Sequence, residues 1–113
     1  MFTVFGFYKF KKITALKKVK TFFQAELLKN KVRGTIIFSS EGINGTIAGQ
    51  KAAVNRTIKL LKRTLKFTHF DSNNTSLSKF QPFHRGKVKI KKEVVPIGLK
   101  INSKNKKQNS YVS

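Results

Sequence analysis

Hydrophobic and polar positions follow two different periods along the chain, and each change of period marks an element. The opening FTVFGFYKF (Phe2–Phe10) is apolar on both alternating faces, which suits a strand with neighbours on either side. From Leu16 the period lengthens. Leu16, Val19, Phe23 and Leu27 recur at spacings of three, four and four, a helical stripe with Thr14 placed as its N-cap and Lys17 and Lys18 off the stripe. RGTIIFS (Arg33–Ser39) and INGTIAG (43–49) read as two further strands. Ser40-Glu41-Gly42 gives the reversal between them, since glycine accepts positive φ without a Cβ penalty. Asn44-Gly45 is a competing hairpin signal, but the earlier turn leaves two strands of similar length.

A second helical stripe, Val54, Ile58, Leu61 and Leu65, runs through QKAAVNRTIKLLKRTL, with Arg56, Lys59 and Arg63 on roughly the opposite side. FTHFDSN (67–73) reads as another strand and NNTSLSKFQPF as a loop. The cleanest alternation comes last, in GKVKIKKEVV: Val88, Ile90 and Val94 point one way, Lys87, Lys89 and Lys91 the other. Pro96 and Gly98 end the order. The sequence therefore predicts one folded domain over 1–101 and a disordered basic tail over 102–113. The element order βαββαβ with one extra C-terminal strand predicts a ferredoxin-like α+β sandwich, an antiparallel sheet with two helices on one face.

Composition changes this picture through charge. Lys and Arg total 25 against four Asp and Glu, a formal net charge of +21. Such an imbalance opposes compaction by self-repulsion and favours a polyanionic partner such as nucleic acid. Its bland alternative is codon bias that inflates lysine without function. With 113 residues the chain can bury one core. It has no cysteine, and His69 and His84 stand apart from any carboxylate cluster, so neither a metal nor a cofactor is expected. No apolar run approaches the ~20 residues of a membrane span. The lysines follow the first apolar stretch, the reverse of a secretory signal, so a cytoplasmic location without membrane contact is expected.

The stretch SSEGINGTIAG concentrates three of the seven glycines around one of the few acids. It matches neither the P-loop nor the dinucleotide fingerprint. Glu41 without a partner acid, histidine or metal is weak ground for catalysis, and it reads as a turn residue accepting backbone N–H bonds. Glu41, Gly42, Asn44, Gly45 and Gly49 are thus a structural motif: a tight reversal followed by close entry into the second helix. Phe2, Phe5, Phe7, Tyr8 and Phe10 read as core first and as a base-stacking platform second. Three lysines on one strand face repel one another unless solvent or phosphate lies opposite.

FYKF, RGTIIFSSEGINGTIAG and FHRGKVKIKKEVVPIG, in that order, resemble the N-terminal domain of the rhodanese-like tRNA uridine hydroxylases. The resemblance implies an acylphosphatase-like domain that precedes a rhodanese domain. It also implies a part in oxygen-dependent hydroxylation of the wobble uridine of tRNA. The family's reactive cysteine belongs to the rhodanese domain, so no catalytic residue carries over to this chain. The expectation is a stand-alone N-terminal module that is not an enzyme by itself, from a shortened or split gene. It would help position tRNA through Lys87, Lys89, Lys91, Arg56, Lys59 and Arg63, with a separate rhodanese chain as a second partner. The alternatives are a remnant without activity and a small-anion or acyl-phosphate enzyme. The last lacks support after Phe10, where Lys11 and Lys12 stand in place of an arginine-bearing phosphate loop.

Overall fold

The computed structural model describes residues 1–91. Its elements are β1 (Phe2–Phe10), α1 (Leu16–Lys29), β2 (Arg33–Ser39), β3 (Gly42–Gly49), α2 (Lys51–Leu65), β4 (Ser72–Ser78) and β5 (Gly86–Ile90). They form one five-stranded sheet in the order β4-β1-β3-β2-β5. The β1–β3, β1–β4 and β2–β3 pairings are antiparallel. The extra strand β5 joins β2 in parallel, which makes the sheet mixed.

Register and alternation sort the side chains onto two faces. Phe5 stands opposite Ile47, Ile36 opposite Gly45 and Val88, and Phe38 opposite Ile43 and Ile90. These apolar positions face the helices. Phe23 of α1 packs its ring 5.6 Å from that of Phe38, and Leu27, Val54, Leu61 and Leu65 complete the core. The predicted helical stripes are therefore the buried ones, with Leu16, Val19 and Ile58 packed at the margins. Buried Thr57 bonds its hydroxyl back to the carbonyl of Ala53, which lets a polar residue share the apolar side of α2.

The β2–β3 hairpin turns where the sequence places it. Ser39 pairs with Gly42, leaving Ser40 and Glu41 as a two-residue loop. Gly42 has φ 153°, and a Cβ there would collide with the carbonyl oxygen of Lys9. Asn44 and Gly45 lie inside β3 instead of in a turn.

Three sequence expectations are corrected. The N-cap of α1 is Ala15, in the left-handed region with no side-chain cap bond, so Thr14 does not cap it. The fourth strand begins at Ser72, not at Phe67. The segment before it folds Phe67 and Phe70 onto the core margin, with their rings 5.1 Å apart. The strand itself, SNNTSLS, is exposed along nearly its whole length at the sheet edge, so no burial imposes an apolar alternation on it. The carboxylate of Glu41 is exposed and makes no hydrogen bond or ion pair among the described residues. The backbone does that work: its N–H donates to Ser39 Oγ and its carbonyl accepts from Lys11. Val94, Pro96, Gly98 and the tail over 102–113 lie outside the described residues.

Candidate nucleic-acid interface

Both helices cover the same side of the sheet, and among the described residues no helix covers the other, the open face. Alternation assigns to the open face Val4, Gly6 and Tyr8 of β1, Asn44 and Thr46 of β3, Arg33, Thr35 and Ile37 of β2, and Ser72 and Asn74 of β4. Lys87 lies opposite Thr35 and Lys89 opposite Ile37, so both lysines belong to this face. Lys91 continues the ladder by donating its N–H to the carbonyl of Phe38 at 2.9 Å. All three lysines are exposed. Side chains two apart on a strand are spaced by ~6.6 Å, a row of positive charge along one edge.

What holds the row in place is a side chain from α1. Gln24 donates through Nε2 to the Gly86 carbonyl and accepts through Oε1 from the Val88 N–H, each at 2.9 Å. The carboxamide thereby pairs outer backbone groups of β5, whose register is that of its parallel pairing with β2. In that register Val88 is buried and its neighbours Lys87 and Lys89 turn outward.

The helix cations do not join this row. Arg56, Lys59 and Arg63 are exposed on α2, which lies on the covered side of the sheet. Arg56 also has a partner. Its Nη1 donates to Asn30 Oδ1 at 2.8 Å, tying α2 to the C-terminal end of α1, where positive charge is favoured. The six predicted cations thus form two separate surfaces. The open face gains one that the sequence reading missed, Arg33, which is exposed and donates to the Phe83 carbonyl. Strand alternation in RGTIIFS, which puts Arg33 in line with Thr35 and Ile37, was the available signal.

The aromatic stripe of β1 divides in the same way. Phe5 and Phe7 are buried and meet Phe70, whereas Tyr8 and Phe10 are on the open side, their rings edge-to-face at 5.5 Å. Among the described residues the one ion pair is Lys9 with Asp71 at 3.8 Å, and Asp71 Oδ2 also accepts the Phe10 N–H at 2.6 Å.

Gly45 brings β3 close to β2, where an added Cβ would sit 2.5 Å from the Thr35 carbonyl oxygen, and Gly49 closes the strand before α2. Asn44 is buried at 3% exposure between Tyr8 and Ile37.

A cleft of about 400 Å³ lies between the loop after β1 and the end of α2, bounded by Lys11, Lys12, Thr14 and Lys66. This is where an anion-cradling loop would sit. The N–H groups of Lys11 and Ile13 already donate to the carbonyls of Glu41 and Ser40. They are therefore not free to receive a phosphate. Among the described residues no three histidines or acids gather to hold a metal ion, and no helix is long and apolar enough to cross a membrane.

A family model described as the UPF0176 acylphosphatase like domain matches residues 2–94. The tRNA uridine(34) hydroxylase of Pelagibacter ubique (strain HTCC1062) is 60% identical over 109 residues, which cover 96% of this chain and 36% of that protein. That of Rhizobium etli (strain ATCC 51251 / DSM 11541 / JCM 21823 / NBRC 15573 / CFN 42) is 35% identical over 112 residues, 99% of this chain and 36% of that protein. The chain thus spans about a third of the length of these curated relatives. Among solved structures, an acylphosphatase from Coxiella burnetii superposes with a TM-score of 0.55 at 8% identity, covering 80% of this chain and 93% of that one. At that identity the likeness is one of fold.

Proposed function

The chain belongs to the UPF0176 acylphosphatase-like domain family, and from that membership we propose that it is a tRNA-modification module that positions tRNA on its open sheet face. The observation that carries the reading is the row Lys87, Lys89 and Lys91. It stands on β5, whose outer edge the Gln24 carboxamide clamps, with Arg33 on the same face. Phosphate contacts of this kind orient a nucleic acid without reading its sequence. The family resemblance implies that the reactive cysteine belongs to a rhodanese domain, and these 113 residues contain no cysteine, so the proposal gives them the positioning of tRNA and not the hydroxylation chemistry. Arg56, Lys59 and Arg63 add to the overall positive field without forming part of the row.

Charge alone does not make a positioning surface, because +21 draws any polyanion. The test is therefore a variant series on tRNA. Replacing Lys87, Lys89 and Lys91 by Glu should weaken tRNA binding far more than the same change at Lys104, Lys106 and Lys107. Equal losses from both triplets would show a generic polycation and restore the reading of a remnant without activity. Turnover of acetyl phosphate would instead favour the anion-enzyme reading, against which stand the engaged N–H groups of the loop after β1.

A further inference from the structure

The open face also carries a hollow that the lysine row does not explain. It has a volume of about 100 Å³ and lies over Gly6, between β4, β1 and β3. Asn74 and Thr46 stand on either side of Gly6, and Tyr8, Asn44 and Ser72 form the next row along the strands. All of these groups are uncharged, in a protein where every fourth or fifth residue is Lys or Arg.

Gly6 is the telling residue. A glycine inside an interior strand weakens it, and often marks a place where a ligand approaches the backbone. Its φ is not in the left-handed region, so the backbone conformation does not require glycine. Packing does not require it either. An added Cβ would meet Asn74 Oδ1 at 3.3 Å and Thr46 Oγ1 at 3.6 Å, both ends of side chains and neither of them backbone. What glycine does there is keep the hollow open.

We infer that the hollow over Gly6 seats one unpaired pyrimidine base of an RNA strand whose phosphates lie along the β5 lysines. An enclosed apolar cavity of ~150 Å³ takes a benzene ring. An open one of about 100 Å³ can seat a single ring with one edge in solvent, whereas a purine would leave its second ring outside it. The bare Cα of Gly6 offers a flat floor. The Asn74 carboxamide supplies a donor and an acceptor on one edge, matching the adjacent N–H and C=O groups of uracil. Tyr8, backed edge-to-face by Phe10, provides the aromatic wall. From Tyr8 across β3 and β2 to Lys89 is three strand spacings, ~14 Å. A strand crossing the face can therefore place a base in the hollow and phosphates on the row together.

This inference rests on the RNA-binding reading above, and the test separates the two. Binding of the full chain to pentauridylate, pentaadenylate and an abasic pentamer with the same phosphates is measured at one salt concentration. The expected result is that pentauridylate binds about tenfold more tightly than the other two. Gly6→Val, which fills the hollow with a strand-favouring residue, should remove that advantage and leave abasic binding unchanged. Asn74→Ala on the exposed edge strand should reduce it without any steric demand on the fold. Lys89→Glu should weaken all three oligomers alike. No uridylate advantage in the wild type, or an undiminished one in both Gly6→Val and Asn74→Ala, overturns the base seat while leaving the phosphate row standing. An equal advantage for pentaadenylate overturns the single-ring assignment. Absence of binding to any of the three overturns both readings.

Discussion

The side-chain carboxamide of Gln24 and the backbone of Val88 are joined as two neighbouring strands would be: Oε1 accepts the Val88 N–H at 2.9 Å, while Nε2 reaches the Gly86 carbonyl. A helix residue thus closes the open edge of β5. Without it the Gly86 carbonyl and the Val88 N–H on that edge would have no partner among the described residues.

The first prediction concerns that clamp. Gln24→Ala leaves two partly buried backbone groups without protein partners, and should destabilise the domain by about 1–2 kcal/mol. In thermal unfolding that is a fall of several degrees for a domain of this size. Hydrogen exchange at the Val88 amide should rise more than at Ile47 in the centre of the sheet. Equal protection in the variant and the wild type would mean β5 is held by its pairing with β2 alone.

A second prediction separates backbone from side chain in the hairpin. Gly42→Ala puts a Cβ against the Lys9 carbonyl at a φ that L residues rarely adopt. It should cost about 2–4 kcal/mol, if the protein folds at all. Glu41→Ala should change stability by less than about 0.5 kcal/mol, because the turn uses the N–H and C=O of Glu41 and leaves its carboxylate in solvent. Chemical denaturation of the two variants side by side decides the point.

That contrast shows how far the sequence was readable. Glycine at position 42 announces a reversal because few other residues could make it, and the structure puts the loop there. The role of Glu41 was not legible, since a residue type says nothing of whether its side chain or its backbone is engaged. The two helices and the strands Phe2–Phe10 and Arg33–Ser39 were legible because burial on one or both faces imposes a period. The edge strand Ser72–Ser78 was not, because its pairing with β1 is made through the backbone and neither of its faces is deeply covered. At the candidate site, alternation alone gave the outward lysines of β5. The separation of Arg56, Lys59 and Arg63 from them depends on which side of the sheet α2 packs, a tertiary fact with no local signature.

The third prediction follows from that separation. Arg56→Ala removes the bond from α2 to Asn30 at the C-terminal end of α1 and should lower stability by about 0.5–1 kcal/mol. Its effect on tRNA affinity should be no larger than that of Lys59→Ala on the same helix. A tRNA-binding defect in Arg56→Ala as large as that of a β5 lysine would place the interface on the helices.

The fourth concerns Asp71. Its carboxylate accepts the Phe10 N–H at 2.6 Å and pairs more loosely with Lys9 at 3.8 Å. The hydrogen bond should matter more than the exposed ion pair. Asp71→Asn, which keeps an acceptor oxygen, should lose less stability than Asp71→Ala, and the loss in Asp71→Ala, about 1 kcal/mol, should persist in 1 M salt. A loss that salt erases would assign the stabilisation to the ion pair.

The measurement that bears most directly on the central claim is binding of the purified chain to tRNA and to duplex DNA of equal charge across a salt series. Contact with ~4–6 phosphates gives a log–log slope of about −3 to −5 on either polymer. The account predicts a preference for tRNA that survives to physiological salt, and a slope shallower by about two to three when Lys87, Lys89 and Lys91 are replaced by Glu. Equal binding to tRNA and DNA that salt abolishes, with the same slope in the triple variant, would contradict it and leave the +21 charge as a generic attraction.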